Sequence, residues 1–168
     1  MSEKKSRALL TGSFDPVTKG HESVLRRALD TYDEVYAVVF INADKKGFFP
    51  IEARVELLKR VCEKYPRVTV DASRGYVADY AKEMGIDVIV RGVRDDADLA
   101  YEKRMAEYNA QKCGVTTVFF PAEDGQKDIS SHAVREMLLK GGDPSPLLPK
   151  EIAQEICENW RFFCAKQE

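Results

Sequence analysis

The residues Thr11-Gly12-Ser13-Phe14-Asp15-Pro16-Val17-Thr18-Lys19-Gly20-His21 follow directly on the first apolar run of the chain. They read as a strand end, a tight turn and a helix start. The first amides of a helix have no partner within it and carry partial positive charge, so an anion docked there is stabilised without a charged side chain. Gly12 lets the backbone approach closely, Ser13 adds a hydroxyl, and Pro16 stiffens the turn. His21 falls in the first turn of the helix, aimed back at the same spot. With a pKa near neutrality it could donate to a phosphate oxygen as charge develops there. The chemistry written into this turn is phosphate binding.

Further along the chain the chemistry-bearing residues are basic or hydroxylic: Lys45 and Lys46, Arg74, Arg91 and Arg94, Ser130 and Ser131. Arg91-Gly92-Val93-Arg94 sets two guanidinium forks around a glycine, a geometry suited to phosphate. Each has a plainer reading. Lys45 and Lys46 could be an exposed loop pair, and Arg91 could pair with Asp95, Asp96 or Asp98. Glu102 could belong to a solvated face. Ser130 and Ser131 would cap a helix in any protein. Tyr101, Met105 and Tyr108 read as core or interface, and Trp160, Phe162 and Phe163 as C-terminal packing.

The elements that must position these residues alternate between apolar runs and helical periodicity. Strands are expected at Arg7–Thr11, Glu34–Ile41, Val68–Ala72, Val88–Arg91 and Thr116–Pro121. Helices are expected at Gly20–Tyr32, from Ile51 to a stop at Pro66, at Tyr76–Met84, after the polar segment Gly92–Asp98 to about Lys112, at Ser130–Lys140 and at Glu151–Phe163. The second helix should bury Val55, Leu58, Val61, Cys62 and Tyr65. Glu34–Ile41 is too continuously apolar to be half-exposed, as in a parallel sheet covered on both faces. The alternation predicts an α/β fold, a doubly wound parallel sheet of about five strands with right-handed crossovers. Ligands in such sheets bind beyond the carboxyl ends of the strands, where Ser13, His21, Lys45, Lys46, Arg74, Arg91, Arg94, Ser130 and Ser131 are expected. Cations and helix starts gather on one edge, which points to a polyphosphate ligand.

The 168 residues suit one domain, with residues 1–6 read as a flexible N-terminus. A net charge of −2 provides no general basic field for nucleic acid or membrane, so anion binding must be local. The N-terminus lacks the apolar core of a signal peptide, and no run is long enough to span a bilayer, so a cytoplasmic location is expected. Cys62, Cys113, Cys157 and Cys164 form no C-x-x-C pair, and His21 and His132 are the only histidines, which argues against disulfides and zinc.

The segment Gly12–His21, the loop at Lys45, Arg91-Gly92-Val93-Arg94 with Tyr101-Glu102, and Ile129-Ser130-Ser131 resemble the bacterial phosphopantetheine adenylyltransferase family. The resemblance spans Arg7 to Pro149 in order and spacing, with Thr18-Lys19-Gly20-His21 where related nucleotidyltransferases carry H-x-G-H. It implies a Rossmann-like fold, transfer of the adenylyl group of ATP to 4′-phosphopantetheine, magnesium as cofactor with its ligands left open, a homohexamer, and coenzyme A as feedback inhibitor. By matched position, Ser13 and Lys45 would hold the acceptor phosphate and the reacting α-phosphate. Arg91 would bind the acceptor phosphate, and Tyr76 and Val77 the pantetheine arm. His21 would stabilise transition-state charge. Ser13, Phe14, His21, Gly92, Val93, Arg94, Glu102, Gln126, Lys127, Asp128, Ile129, Ser130, Ser131 and His132 would line the ATP site, with Arg94 and Ser131 on the triphosphate. Catalysis would rest on His21, Lys45, Ser13 and Arg94.

Lys19 stands where asparagine is frequent, His132 where a third serine is frequent, and Asp95 and Asp96 add negative charge beside Arg94. Two other functions fit the same turn. One is adenylyl transfer to nicotinate or nicotinamide mononucleotide, whose enzymes usually carry the histidine that Thr18 replaces. The other is a nucleotide-binding regulatory module without turnover.

Overall fold

The computed structural model describes residues 3–165. Five parallel strands, β1 (Arg7–Gly12), β2 (Glu34–Phe40), β3 (Val68–Ser73), β4 (Val88–Val93) and β5 (Thr116–Pro121), line up in the order β3-β2-β1-β4-β5. The helices are α1 (Lys19–Thr31), α2 (Ile51–Cys62), α3 (Val77–Glu83), α4 (Asp96–Cys113), α5 (Ser131–Leu139) and α6 (Lys150–Ala165). A short 3-10 turn at Ser145–Leu147 precedes α6 and was not anticipated. The expected doubly wound sheet is therefore present. Among the described residues no helix is long and apolar enough to cross a membrane.

Strand alternation divides the core into two layers. Ala8 and Leu10 of β1 and Val35, Ala37 and Val39 of β2 face the larger layer, with residues of α1, α2, α5 and α6. Leu9, Tyr36, Val38 and Ile89 face the smaller one, with Tyr80, Ala81 and Cys113. The strand order reverses between β1 and β4, and that switch point is where a doubly wound sheet opens a crevice at its carboxyl edge.

Several boundaries differ from the sequence expectation for physical reasons. The fourth strand does not stop at Arg91, because Gly92 and Val93 continue the ladder opposite Phe120 and Pro121. A Cβ on Gly92 would lie 2.9 Å from Val24 Cγ2, so glycine here lets α1 pack down on the strand. The second helix ends at Cys62, ahead of Pro66, and its buried stripe is Arg54, Leu57, Leu58, Val61 and Cys62, with Val55 only partly covered. The fourth helix starts at Asp96, capped by the Asp95 carboxylate on the Asp98 amide. Residues 1–2 of the N-terminal segment lie outside the described residues. Its later part is tied down: Lys4 reaches Asp87, and Ser6 bonds Asp33 through both its amide and its hydroxyl.

Candidate active site

Two cavities open side by side at the switch point and share a wall of Thr11, Ser13, Arg91 and Glu102. The first, about 310 Å3, is bounded by the start of α1, the end of β4, and the residues leading into α5. The second, about 200 Å3, is bounded by α3 and α4 and is mostly apolar, with Phe40, Val77, Ile89, Met105 and Ala106 on its walls.

His21 lines the first cavity. Thr18 caps α1, and the two residues bond reciprocally. The Thr18 amide donates to His21 Nδ1 at 3.0 Å, while Thr18 Oγ1 accepts from the His21 amide at 3.4 Å. An amide N–H only donates, so Nδ1 is the lone-pair nitrogen and the ring proton sits on Nε2. Burial of the ring, reinforced by the charges of Arg91 and Arg94, pulls its pKa from 6.5 down to about 4. This corrects the expectation of a ring titrating near neutrality. At pH 7 His21 is a neutral Nε2–H donor.

Phe14 is fully buried under His21, with ring centroids 4.8 Å apart, and takes the left-handed conformation at φ 46°. Its ring also fills the space above Gly12, 3.3 Å from where a Cβ would stand. The room that glycine provides is therefore used by Phe14.

Arg91 is held from two sides. Its Nε and NH2 donate to the two oxygens of Glu102 at 3.0 and 2.7 Å, and NH1 donates to the carbonyl and hydroxyl of Thr11. None of the three aspartates weighed as its partner takes that place. Glu102 is 6% exposed and not part of a solvated face. Arg94 instead pairs with Asp98, whose carboxylate also accepts from the Arg94 amide at 3.1 Å. Tyr101 and Met105 belong to the second cavity's wall and are 54% and 40% exposed, so they are not core.

The start of α5 is stapled to the turn after β1. Ser130 caps the helix by accepting from the Ala133 amide, and Ser131 Oγ donates to the Pro16 carbonyl at 2.7 Å. Arg135, which sequence reading missed, lines the first cavity and donates to the Asp15 carbonyl at 2.8 Å. The Asp15 carboxylate is buried and accepts from the Phe48 and Phe49 amides at 2.8 Å each. Arg54, also missed, bonds the Phe49 and Ser13 carbonyls and sits 3.9 Å from Asp15. These residues fasten the base of the Lys45 loop to the phosphate turn.

Of the residues expected at the site, the first cavity brings together Ser13, His21, Arg91, Gly92, Val93, Arg94, Glu102, Gln126, Ile129, Ser130, Ser131 and His132. Val77 lines the second. Lys45, Tyr76, Lys127 and Asp128 are exposed and line neither, and Phe14 lies in the core. Among the described residues no group of three His, Cys, Asp or Glu side chains could hold a metal ion.

Residues 9–137 match the cytidylyltransferase-like family model. Over 155 residues the chain is 41% identical to a phosphopantetheine adenylyltransferase of Streptomyces coelicolor, covering 92% of this chain and 98% of that one. With a family match over residues 9–137 and this degree of identity, the chain belongs to the cytidylyltransferase-like family, among the phosphopantetheine adenylyltransferases.

Proposed function

We propose that the protein transfers the adenylyl group of ATP to 4′-phosphopantetheine, releasing pyrophosphate and forming dephospho-coenzyme A. The observation that carries this reading is the wall shared by two chemically different cavities. The first is rich in phosphate donors and suits ATP. The second is a largely apolar slot that suits a flexible uncharged arm. Their meeting place at Ser13 and Arg91 is where two phosphates would be brought together.

Transfer then needs no protein nucleophile. An acceptor phosphate oxygen attacks the α-phosphorus, the new P–O bond forms, and the bond to the β-phosphate bridging oxygen breaks with its electron pair leaving on pyrophosphate. The protein's task is to align two polyanions and offset their repulsion. His21 Nε2–H donates to oxygen charge that grows in the transition state. Arg91 has five N–H donors, four of them engaged by Glu102 and Thr11, so it is pre-oriented with one left for a ligand oxygen. Arg94 and the amides at the start of α5 would face the triphosphate, and Lys45, exposed and outside both cavities, would have to reach in from its loop to meet the reacting phosphates.

Magnesium fits this scheme as an ion carried by the phosphates. The carboxylates lining the first cavity, Glu102 and Asp98, are already engaged by arginines. The ion would supply charge neutralisation on the triphosphate. Coenzyme A carries the same arm as the acceptor and would compete for the second cavity. A homohexamer and a cytoplasmic location complete the proposal.

Pyrophosphate release with ATP and a panel of acceptors tests it. Phosphopantetheine should be used orders of magnitude faster than pantetheine or nicotinate mononucleotide, because a site built around phosphate leaves its donors unmet without one. Preference for the mononucleotide would overturn the acceptor assignment, and nucleotide binding without turnover would favour the regulatory reading.

A further inference from the structure

The loop after β2 carries the exposed Lys45 and Lys46 and returns to α2 through Gly47, Phe48 and Phe49. Its tip and its base are held differently. Near the tip the loop bonds itself: the Lys45 amide donates to the Asn42 carbonyl, and the Asp44 amide to Asn42 Oδ1. At the base, the amides and carbonyls of Phe48 and Phe49 are all taken from outside the loop. Asp15 accepts from both amides, Arg54 Nε donates to the Phe49 carbonyl, and Cys164 Sγ donates to the Phe48 carbonyl at 3.2 Å. Gly47 marks the border, since a Cβ there would stand 2.8 Å from Arg54 Cζ and push the guanidinium aside.

Cys164 belongs to the last turn of α6, with Trp160 and Phe163. Their spacing puts all three on one face of the helix, continuing the stripe begun by the fully buried Ile152 and Ile156. Trp160 stacks on Phe48, with ring centroids 5.4 Å and planes 25° apart, and Phe163 meets Phe49 edge-on at 6.2 Å. Burial, with the charge of Asp15, pushes the Cys164 thiol pKa up, which keeps the thiol a protonated donor.

We propose that the last turn of α6 is a positioning element for the transfer step: Trp160, Phe163 and Cys164 clamp Phe48 and Phe49, and that grip sets where Lys45 meets the reacting phosphates. The proposal rests on the reading of Lys45 as a phosphate ligand. Lys45 lines neither cavity, so its reach depends on the direction in which the loop leaves its base. Ordering a loose loop around a ligand costs backbone entropy, and a base already fixed leaves only the tip to order. Truncating Trp160 removes the ring that Phe48 stacks on and frees the chain beside it to swing.

The test is a double-mutant cycle between Trp160→Ala and Lys45→Ala, read by pyrophosphate release with ATP and phosphopantetheine each varied in turn. Trp160→Ala should lower kcat/KM for phosphopantetheine about tenfold and leave the KM for ATP within about twofold of the parent, because it misplaces only the lysine. Trp160→Phe keeps a ring on Phe48 and should recover most of the rate. In the Lys45→Ala background, Trp160→Ala should cost less than about twofold, since the side chain it positions is gone. Ile152→Val loosens the same helix about 12 Å away and should melt lower while keeping the parental kcat/KM. Should Trp160→Ala fail to fold, Phe163→Leu takes its place in the cycle. No loss in Trp160→Ala, a loss that persists in the Lys45→Ala background, or an equal loss in Ile152→Val would overturn the clamp. Parental turnover in Lys45→Ala alone would instead overturn the reading of Lys45 on which the proposal rests.

Discussion

The Thr18 amide donates to His21 Nδ1, and Thr18 Oγ1 accepts from the His21 amide, so one residue both starts α1 and chooses the tautomer of its partner. The helix cap and the proposed catalytic donor are one piece of geometry. That relationship explains how a histidine can serve phosphate chemistry without being charged.

Nitrogen-detected NMR of the histidine ring, assigned with a His132→Asn variant, should show His21 protonated on Nε2 and titrating near 4. Because that pKa lies below the 6.5 of the unfolded chain, the unfolded state takes up the proton first as pH falls. Stability should therefore drop between about pH 6.5 and pH 4, with no contribution from this ring above that window. A His21→Asn variant should lose that part of the pH dependence. A ring titrating above 6 would contradict the assignment.

His21→Ala should cost about 2.7–4 kcal/mol in the barrier, a loss of about 10²–10³ in turnover, as for other single transition-state donors. Melting curves recorded alongside should move far less than the rate. Near-normal turnover would remove the histidine from the mechanism.

Glu102 holds Arg91 at the junction of the cavities, and its side chain is 7% exposed against 30% for the arginine. Removing one partner of a buried pair costs about 3–5 kcal/mol, and the exposure of Arg91 brings this to the lower figure or below it. Glu102→Ala should therefore be destabilised by about 2–3 kcal/mol in denaturant unfolding. It should also lose saturation by phosphopantetheine more than saturation by ATP. Equal loss for both ligands would mean that Arg91 does not serve the acceptor side.

Lys45 and Asp15 should separate function from folding where the loop after β2 meets the turn after β1. Lys45 is exposed, so Lys45→Ala should leave the melting temperature unchanged while weakening phosphopantetheine use. Asp15→Ala removes the carboxylate that accepts from the Phe48 and Phe49 amides and faces Arg54 at 3.9 Å, and should lower both stability and turnover. Arg94→Ala should chiefly raise the KM for ATP. Steady-state kinetics with each ligand varied in turn would check all three.

The order and type of the main elements were legible because strand and helix periodicities were clear and glycines such as Gly85 and Gly114, both at positive φ, punctuated them. The turn from Gly12 into α1 was legible for the same local reason. Polar residues that do their work inside were not. Arg54 sits among Leu57 and Leu58 on the buried face of α2, and Glu102 and Asn109 are buried on α4. A hydrophobic pattern assigns such charges to solvent, since only the tertiary partner reveals the need for them. Arg135 was missed for a related reason: it reaches the cavity from a helix face, and only the fold brings that face to the strand ends.

The stereochemical course at the α-phosphorus tests the central claim, direct transfer across the wall shared by the two cavities. With ATP bearing sulfur on the α-phosphorus in one known configuration, and phosphopantetheine as acceptor, the product should show inversion, because a single in-line displacement turns the centre over once. Retention would require two displacements through an adenylylated side chain and would contradict a site in which ligand alignment alone carries the reaction.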